Sequence, residues 1–286
     1  MSTPYIIMIC LCSAVILIQI TKMYLYPRGK RRGNQKEIDI GCSMTIGGRE
    51  VQEDNLDTMT TEAGVLGVLS DGMGKAYGGR IASRIAVETF IELFKEYNAF
   101  DNPLYYFRKA FHSANREILK SLENERRGAA SVGCVMIRDN YLYYAVVGNV
   151  KVCVYRKGDL VPMSTGHTVH ALAEEYFKEG KISRQDALTL LDNHRLFNYI
   201  GQDGFRDIEL FDTPVGLKKG DIVVVMSDGL YELLPFAEIE QILSNRENCQ
   251  TKAYQLMDAV NQYKEKEIEK DNASVILLGI EKGVRA

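Results

Sequence analysis

Val65-Leu66-Gly67-Val68-Leu69-Ser70-Asp71-Gly72 and, far along the chain, Ile222-Val223-Val224-Val225-Met226-Ser227-Asp228-Gly229 follow one pattern. A short apolar run without polar alternation reads as a strand buried on both faces. Each run stops in the same Ser-Asp-Gly, a turn signal that sets an acid at the end of the strand. Two further short acidic turns, Glu53-Asp54-Asn55 and Asp271-Asn272, complete the set. Strand ends can converge in a folded domain, and carboxylates gathered there bind hard divalent cations through oxygen. Two carboxylates about 4 Å apart repel by roughly 4 kcal/mol at an effective dielectric near 20. A cluster of four therefore needs cations or protons between its members. One Asp-Gly alone is an ordinary turn; its repetition after two buried strands points to metal-assisted hydrolysis.

Working outward, Arg49-x-x-x-Glu53-Asp54, Asp71-Gly72-Met73-Gly74, Gly148-Asn149-Val150-Lys151, Ser227-Asp228-Gly229 and Asp271-Asn272 occur in that order. Over most of residues 38 to 282 this series resembles the metal-dependent serine/threonine phosphatases of the type 2C (PPM) family, in its bacterial form. Gly180-Lys181-Ile182, Gln185-Asp186-Ala187, His194 and Ile200-Gly201 resemble the family's flap, about residues 164 to 206.

The resemblance implies an α+β fold, a four-layer α/β/β/α sandwich of two antiparallel sheets flanked by helices. It implies two Mn²⁺ or Mg²⁺ ions held by Asp54, Asp71, the Gly72 carbonyl, Asp228 and Asp271. Asp71 bridges both ions and, with Asp228, is catalytic. Glu53 and Asp54 act mostly through metal-bound waters, and Asn272 supports them from behind. Arg49 grips the substrate phosphate, which suits a planar guanidinium fork. In such a dinuclear site the metals lower the pKa of water far enough to supply hydroxide at neutral pH. No protein nucleophile is then required, and the chain has no Cys-x5-Arg loop.

Two positions depart from the family pattern. Met73 stands where many members have His, and it cannot protonate a leaving alkoxide. Asn149 stands where an Asp is associated with a third, weaker metal, so a third site is in doubt and Asn149→Asp is expected to increase turnover or metal affinity. His167 and His194 lie in the flap segment and read as structural or solvated.

The 286 residues are 46% hydrophobic and 26% charged, an ordinary balance for one substantial core. Residues 1 to 36 carry six basic and no acidic residues, which leaves 29 basic against 38 acidic in the rest. An acidic domain argues against nucleic acid as a partner. From Tyr5 to Ile20 no residue is charged, and only Lys22 interrupts the stretch to Tyr26. Residues 1 to 27 thus read as one transmembrane helix, with Tyr24 and Tyr26 at the interface and Lys22 snorkelling. A signal peptide would need a basic region ahead of the apolar run and a small-residue cleavage site after it, and neither is present.

Residues 28 to 37 form a basic juxtamembrane linker, which keeps the domain from 38 to 286 on the cytoplasmic side of the cell membrane. Cys42, Cys134, Cys153 and Cys249 have no metal-type spacing and read as reduced core thiols. The expected partners are phosphoserine and phosphothreonine proteins, opposing a Ser/Thr kinase, and the lipid bilayer, with a monomeric catalytic domain.

Gly79 to Tyr97 and a segment opening at Asn102-Pro103 carry apolar residues at helical spacing. Tyr141 to Val147, the turn Gly148-Asn149 and Val150 to Arg156 read as a β-hairpin, with a second turn at Lys157-Gly158-Asp159. Thr251 to Ile268 reads as a helix and Ala273 to Ile280 as the closing strand. Two alternatives to a tethered phosphatase differ in class. A silent relative that binds phosphoproteins would not need the intact set Asp54, Asp71, Asp228 and Asp271. A P-loop built on Gly72-x-Gly74-Lys75 lacks the Ser or Thr that must follow the lysine.

Overall fold

The computed structural model describes residues 38–75, 77–121, 127–190, 195–263 and 270–281. The described residues lie within one compact unit, 36–286. The anchor and linker expected over 1–37 lie outside the described residues, as does His194. Among the described residues no helix is long and apolar enough to cross a membrane.

The strands are β1 (Ile38–Thr45), β2 (Asn55–Thr61), β3 (Gly64–Gly74), β4 (Gly128–Arg138), β5 (Tyr141–Val147), β6 (Lys151–Arg156), β7 (Asp159–Pro162), β8 (Glu209–Leu210), β9 (Val215–Gly216), β10 (Ile222–Met226) and β11 (Ala273–Ile280). One sheet has the order β1-β11-β10-β6-β7; the other runs β2-β3-β4-β5-β8, with β9 also on β5. Each pairing is antiparallel. Helices α1 (Gly78–Glu96) and α2 (Pro103–Ser121) cover the second sheet. The segment from 164 to 206 holds α3 (Val169–Lys178) and α4 (Arg184–Leu190). α5 (Asp228–Tyr231) follows β10 at once, and α6 (Phe236–Ser244) and α7 (Cys249–Gln262) cover the first sheet.

The two decisive runs are apolar throughout because both of their faces are buried. In β10, Ile222, Val224 and Met226 join the core under α6 and α7, while Val223 and Val225 join the core between the sheets. In β3, Leu66 and Val68 meet α1 and α2, while Val65 and Leu69 face the other sheet. Three apolar layers therefore separate four layers of secondary structure, as expected. Phe90 and Phe111 lock α1 to α2 edge to face, with ring centroids 4.9 Å apart. Cys134, Cys153 and Cys249 are buried free thiols, and Cys42 is partly exposed.

Three local expectations are corrected. β5 and β6 form no hairpin: β5 pairs with β4 and β6 with β10, so Gly148-Asn149 carries the chain from one sheet to the other. The true hairpin is β6 and β7, whose turn has positive φ at Lys157 (57°) and Gly158 (106°), the geometry that matches strand twist. β3 does not stop at Ser70 but runs through Asp71 and Gly72 to Gly74, because β4 supplies pairing partners that far. α7 begins at Cys249, two residues before the expected Thr251, because Asn248 caps it by accepting from Thr251 N at 2.8 Å, while β11 has the expected bounds and lies between β1 and β10.

Candidate metal centre

The acids come from both sheets and meet at one end of the sandwich. Asp54 immediately precedes β2, and Asp71 lies on β3 beside it, where Asn55 pairs with Ser70. Asp228 opens α5 directly after β10, and Asp271 lies two residues ahead of β11. A cleft of about 1210 Å³ is lined by Arg49, Glu53, Asp71, Gly72, Asn149, Asp228, Asp271 and Asn272. The structure thus brings the sequence-predicted residues to one place, with one exception.

Asp54 does not line that cleft. It is 6% exposed, and its Oδ2 accepts hydrogen bonds from Ser227 Oγ (3.0 Å) and Ser274 Oγ (2.7 Å). Ser274 N in turn donates to Ser227 Oγ at 2.9 Å. Two serines of one sheet therefore hold the carboxylate of the other. Neither serine was singled out for this role from sequence, where Ser227 reads as part of a turn; the available signal was a hydroxyl inside or beside an all-apolar strand.

Glu53 also differs from expectation. Its carboxylate accepts the backbone N–H of Arg80, in the first turn of α1, where Tyr77 provides no side-chain cap. It therefore acts as the missing cap. Asn272 ties the two ends of the domain together: its Oδ1 accepts from Glu53 N at 2.7 Å and its Nδ2 donates to Ile46 O at 2.9 Å. Arg49 grips Asp271 through Nε and an Nη, both at 3.0 Å. Asn149 Nδ2 donates to Asp228 Oδ2 at 2.6 Å. A carboxylate at position 149 would face that of Asp228 across this gap.

His167 is structural. Its Nδ1 accepts from Gly148 N at 3.1 Å, its ring meets Phe197 edge to face, and burial lowers its pKa.

Electrostatics show the strain of gathering these acids. Burial first, then the charges of Asp228, Asp54 and Asp271, hold the Asp71 carboxyl well above the usual carboxylate range. Burial pushes Asp54 up to about 6 against the bonds from Ser274 and Ser227. It pushes Asp228 up to about 7, aided by the charges of Glu232, Asp271 and Asp54.

Among the described residues no three His, Cys, Asp or Glu side chains stand at the mutual spacing of a formed metal site. Asp54, Asp228 and Asp271 are turned to protein partners instead. The donor set nevertheless fits a hard cation: Asp71, Asp228 and Asp271 offer only oxygen and line one cleft, and burial, with the neighbouring carboxylates, holds the Asp71 and Asp228 carboxyls above their usual range. Asn149 Oδ1 is buried with no hydrogen-bond partner among the described residues, an arrangement that calls for a ligand.

The family model described as Protein phosphatase 2C matches residues 44–270. The serine/threonine phosphatase stp of Listeria monocytogenes serovar 1/2a is 26% identical over 218 residues, covering 74% of this chain and 82% of its own length. Among solved structures, the S. agalactiae serine/threonine phosphatase has a TM-score of 0.73 at 23% identity, covering 86% of this chain and 100% of that one. The catalytic domain of the serine/threonine protein phosphatase PstP in complex with 2 manganese ions has a TM-score of 0.69 at 20% identity, covering 86% and 99%.

Proposed function

The chain belongs to the protein phosphatase 2C family, and from that premise we propose that it hydrolyses phosphoserine and phosphothreonine in proteins with the help of two Mn²⁺ or Mg²⁺ ions. It is a protein serine/threonine phosphatase by kinship with the Stp and PhpP enzymes. The observation that carries the metal-dependent reading is the gathering of Asp71, Asp228 and Asp271 in one cleft. Such a set is stable at neutral pH only with protons or cations among its members.

Asp71, the Gly72 carbonyl, Asp228 and Asp271 would hold the ions, with Asp54 placed behind Asp71 by its two serines. When bound, divalent cations make hydroxide available from water at neutral pH and offset the charge that develops on the phosphoryl oxygens. The chain's own part is to bind, orient and neutralise. Arg49 stands at the mouth of the cleft with a bidentate fork already formed on a carboxylate, a geometry that a phosphate monoester can take over. Gly72 lets the backbone come close: a Cβ there would lie 2.2 Å from Gly79 O. The site side chains include no acid at position 73, and His167 is committed to Gly148, so neither protonates the leaving alkoxide.

The chain acts at the cytoplasmic face of the membrane, against the products of a Ser/Thr kinase. The uncharged stretch from Tyr5 to Ile20 and the basic residues from Arg28 to Lys36 support this placement. Full-length protein should stay in membranes through alkaline carbonate extraction, and its release at full length would overturn the tether. For the chemistry, the purified protein should hydrolyse p-nitrophenyl phosphate and phosphothreonine peptides only with Mn²⁺ or Mg²⁺. Asp228→Asn should remove most of that activity while the domain stays folded. Full activity in EDTA would overturn the metal reading.

A further inference from the structure

Asp228 and Tyr231 occupy the two ends of the four-residue helix α5. Residues three apart lie on one face of a helix, and both side chains reach the same residue on the opposite strand crossover. Asn149 Nδ2 donates to Asp228 Oδ2 at 2.6 Å, and Tyr231 Oη donates to Asn149 O at 2.7 Å. Lys151, two residues past Asn149, places its Nζ 4.1 Å from the Tyr231 ring centroid, within cation–π range. Gly148 lets the crossover pass close against β4. Gly148 has φ of 92°, and a Cβ on it would lie 2.1 Å from Ser131 Oγ. That same oxygen accepts from Asn149 N at 3.3 Å.

We propose that Asn149 and Tyr231 form a positioning pair for Asp228, in which Tyr231 fixes the Asn149 backbone so that its amide aims the Asp228 carboxylate at a divalent cation. The inference rests on the proposed role of Asp228 as a cation ligand. The amide has only one workable orientation, because its reverse would set two acceptor oxygens 2.6 Å apart. In the workable orientation, the Asp228 carboxylate accepts from a neutral donor at Oδ2 and from the Gly229 N–H, and keeps lone pairs for a cation. The orphaned Asn149 Oδ1 then points away from Asp228 as a further buried acceptor. An amide at this position steadies the carboxylate without adding negative charge to a crowded set. Tyr231 needs no contact with the cation to act; removing its hydroxyl loosens the crossover and with it the amide. Partners of this kind behind metal ligands typically govern affinity by about 10- to 100-fold.

The test is Mn²⁺ binding, read by the electron paramagnetic resonance signal of free Mn²⁺ during titration of the full-length protein in detergent. Tyr231→Phe keeps the ring and its stack on Lys151 and removes only the hydroxyl. It should raise the Mn²⁺ dissociation constant about 10-fold, while the melting temperature in EDTA stays within a few degrees. Asn149→Ala should raise the constant at least as far. The double variant should bind no worse than Asn149→Ala alone, because Tyr231 acts through Asn149. Additive losses would overturn the pair. So would unchanged Mn²⁺ binding in Tyr231→Phe when Asp228→Asn abolishes binding. If Asp228→Asn binds Mn²⁺ as well as the parent, the ligand role of Asp228 fails and the inference falls with it. Should Asn149→Ala not fold, Tyr231→Phe alone still decides.

Discussion

Arg49→Ala separates substrate recognition from stability, and the structure fixes both magnitudes. The Arg49–Asp271 pair is bidentate but open to water, with side-chain exposures of 44% and 50%. Exposed pairs of this kind contribute about 0–1 kcal/mol, and for a domain of this size 1 kcal/mol moves the melting temperature by about 2–4 °C. A charge-assisted contact to a phosphate is worth about 1.5–3 kcal/mol, and surrendering Asp271 returns about 1 kcal/mol or less of that. The net loss of about 0.5–3 kcal/mol corresponds to roughly a 2- to 150-fold rise in KM for a phosphothreonine peptide. kcat should change less, since the contact is present in ground and transition states alike. Arg49→Lys keeps the charge but loses the fork, and should fall between parent and Ala. The assay is steady-state release of phosphate at saturating Mn²⁺, with a thermal melt of each variant. KM within twofold of the parent would show that Arg49 does not hold the substrate. A melting temperature lowered by more than about 5 °C would show instead that its bond to Asp271 is structural.

Asn149→Asp would set a second carboxylate 2.6 Å from Asp228, a repulsion of roughly 6 kcal/mol at an effective dielectric of 20 before relaxation; it should lower the melting temperature in EDTA and enlarge the recovery on adding Mn²⁺, which relieves the repulsion, and an unchanged melt would refute this. Asp221, 2% exposed, receives Arg156 through Nε at 3.0 Å and an Nη at 2.6 Å. Asp221→Ala should cost about 3 kcal/mol, the low end for a broken buried pair because Arg156 is partly exposed; a loss below about 1 kcal/mol in urea melts would contradict it. In EDTA, stability should fall as pH rises. Asp54 and Asp228 have folded-state values of about 6 and 7 against an ordinary 3.8, so their protonated forms favour folding below pH 4, and that stability is lost as pH climbs through 6 to 7. The melting temperature should drop between pH 5 and 7.5 and be recovered at pH 7.5 by Mn²⁺; a rise over that interval would reverse the sign.

What was legible in the sequence was whatever a local pattern could carry. The β3 and β10 runs, the bounds of β11, and the helices on 78–96 and 103–121 follow from apolar spacing and turn residues. The acids of the cleft were found because each sits in a short motif. Local pattern failed where the decision was made by distant neighbours. Gly148-Asn149 between two strands looks like a hairpin turn, and only the pairing of β6 with β10 sends the chain to the other sheet. Ser227 looks like part of a turn until Asp54, 173 residues away, is seen to accept its hydroxyl. Glu53 reads as acting through metal-bound water, and only the uncapped first turn of α1 shows its carboxylate serving as a helix cap. Tyr231 carries no motif at all, and its partner is 82 residues upstream.

The pairing of β1 with β11, in register from Ile38 opposite Ile280 to Thr45 opposite Ala273, has a consequence for how the protein is made. Asp54 meets Ser274 across 220 residues, Glu53 meets Asn272 across 219, and Arg49 meets Asp271 across 222. At about 5–20 residues per second, the early half of the site waits roughly 10–45 s for the late half to be synthesised. During that interval β10, too, is without its central neighbour, and long-range strand pairing is the slow step in folding. A nascent or clipped chain that stops before residue 271 lacks Asp271, Asn272 and Ser274, the partners that hold Arg49, Glu53 and Asp54.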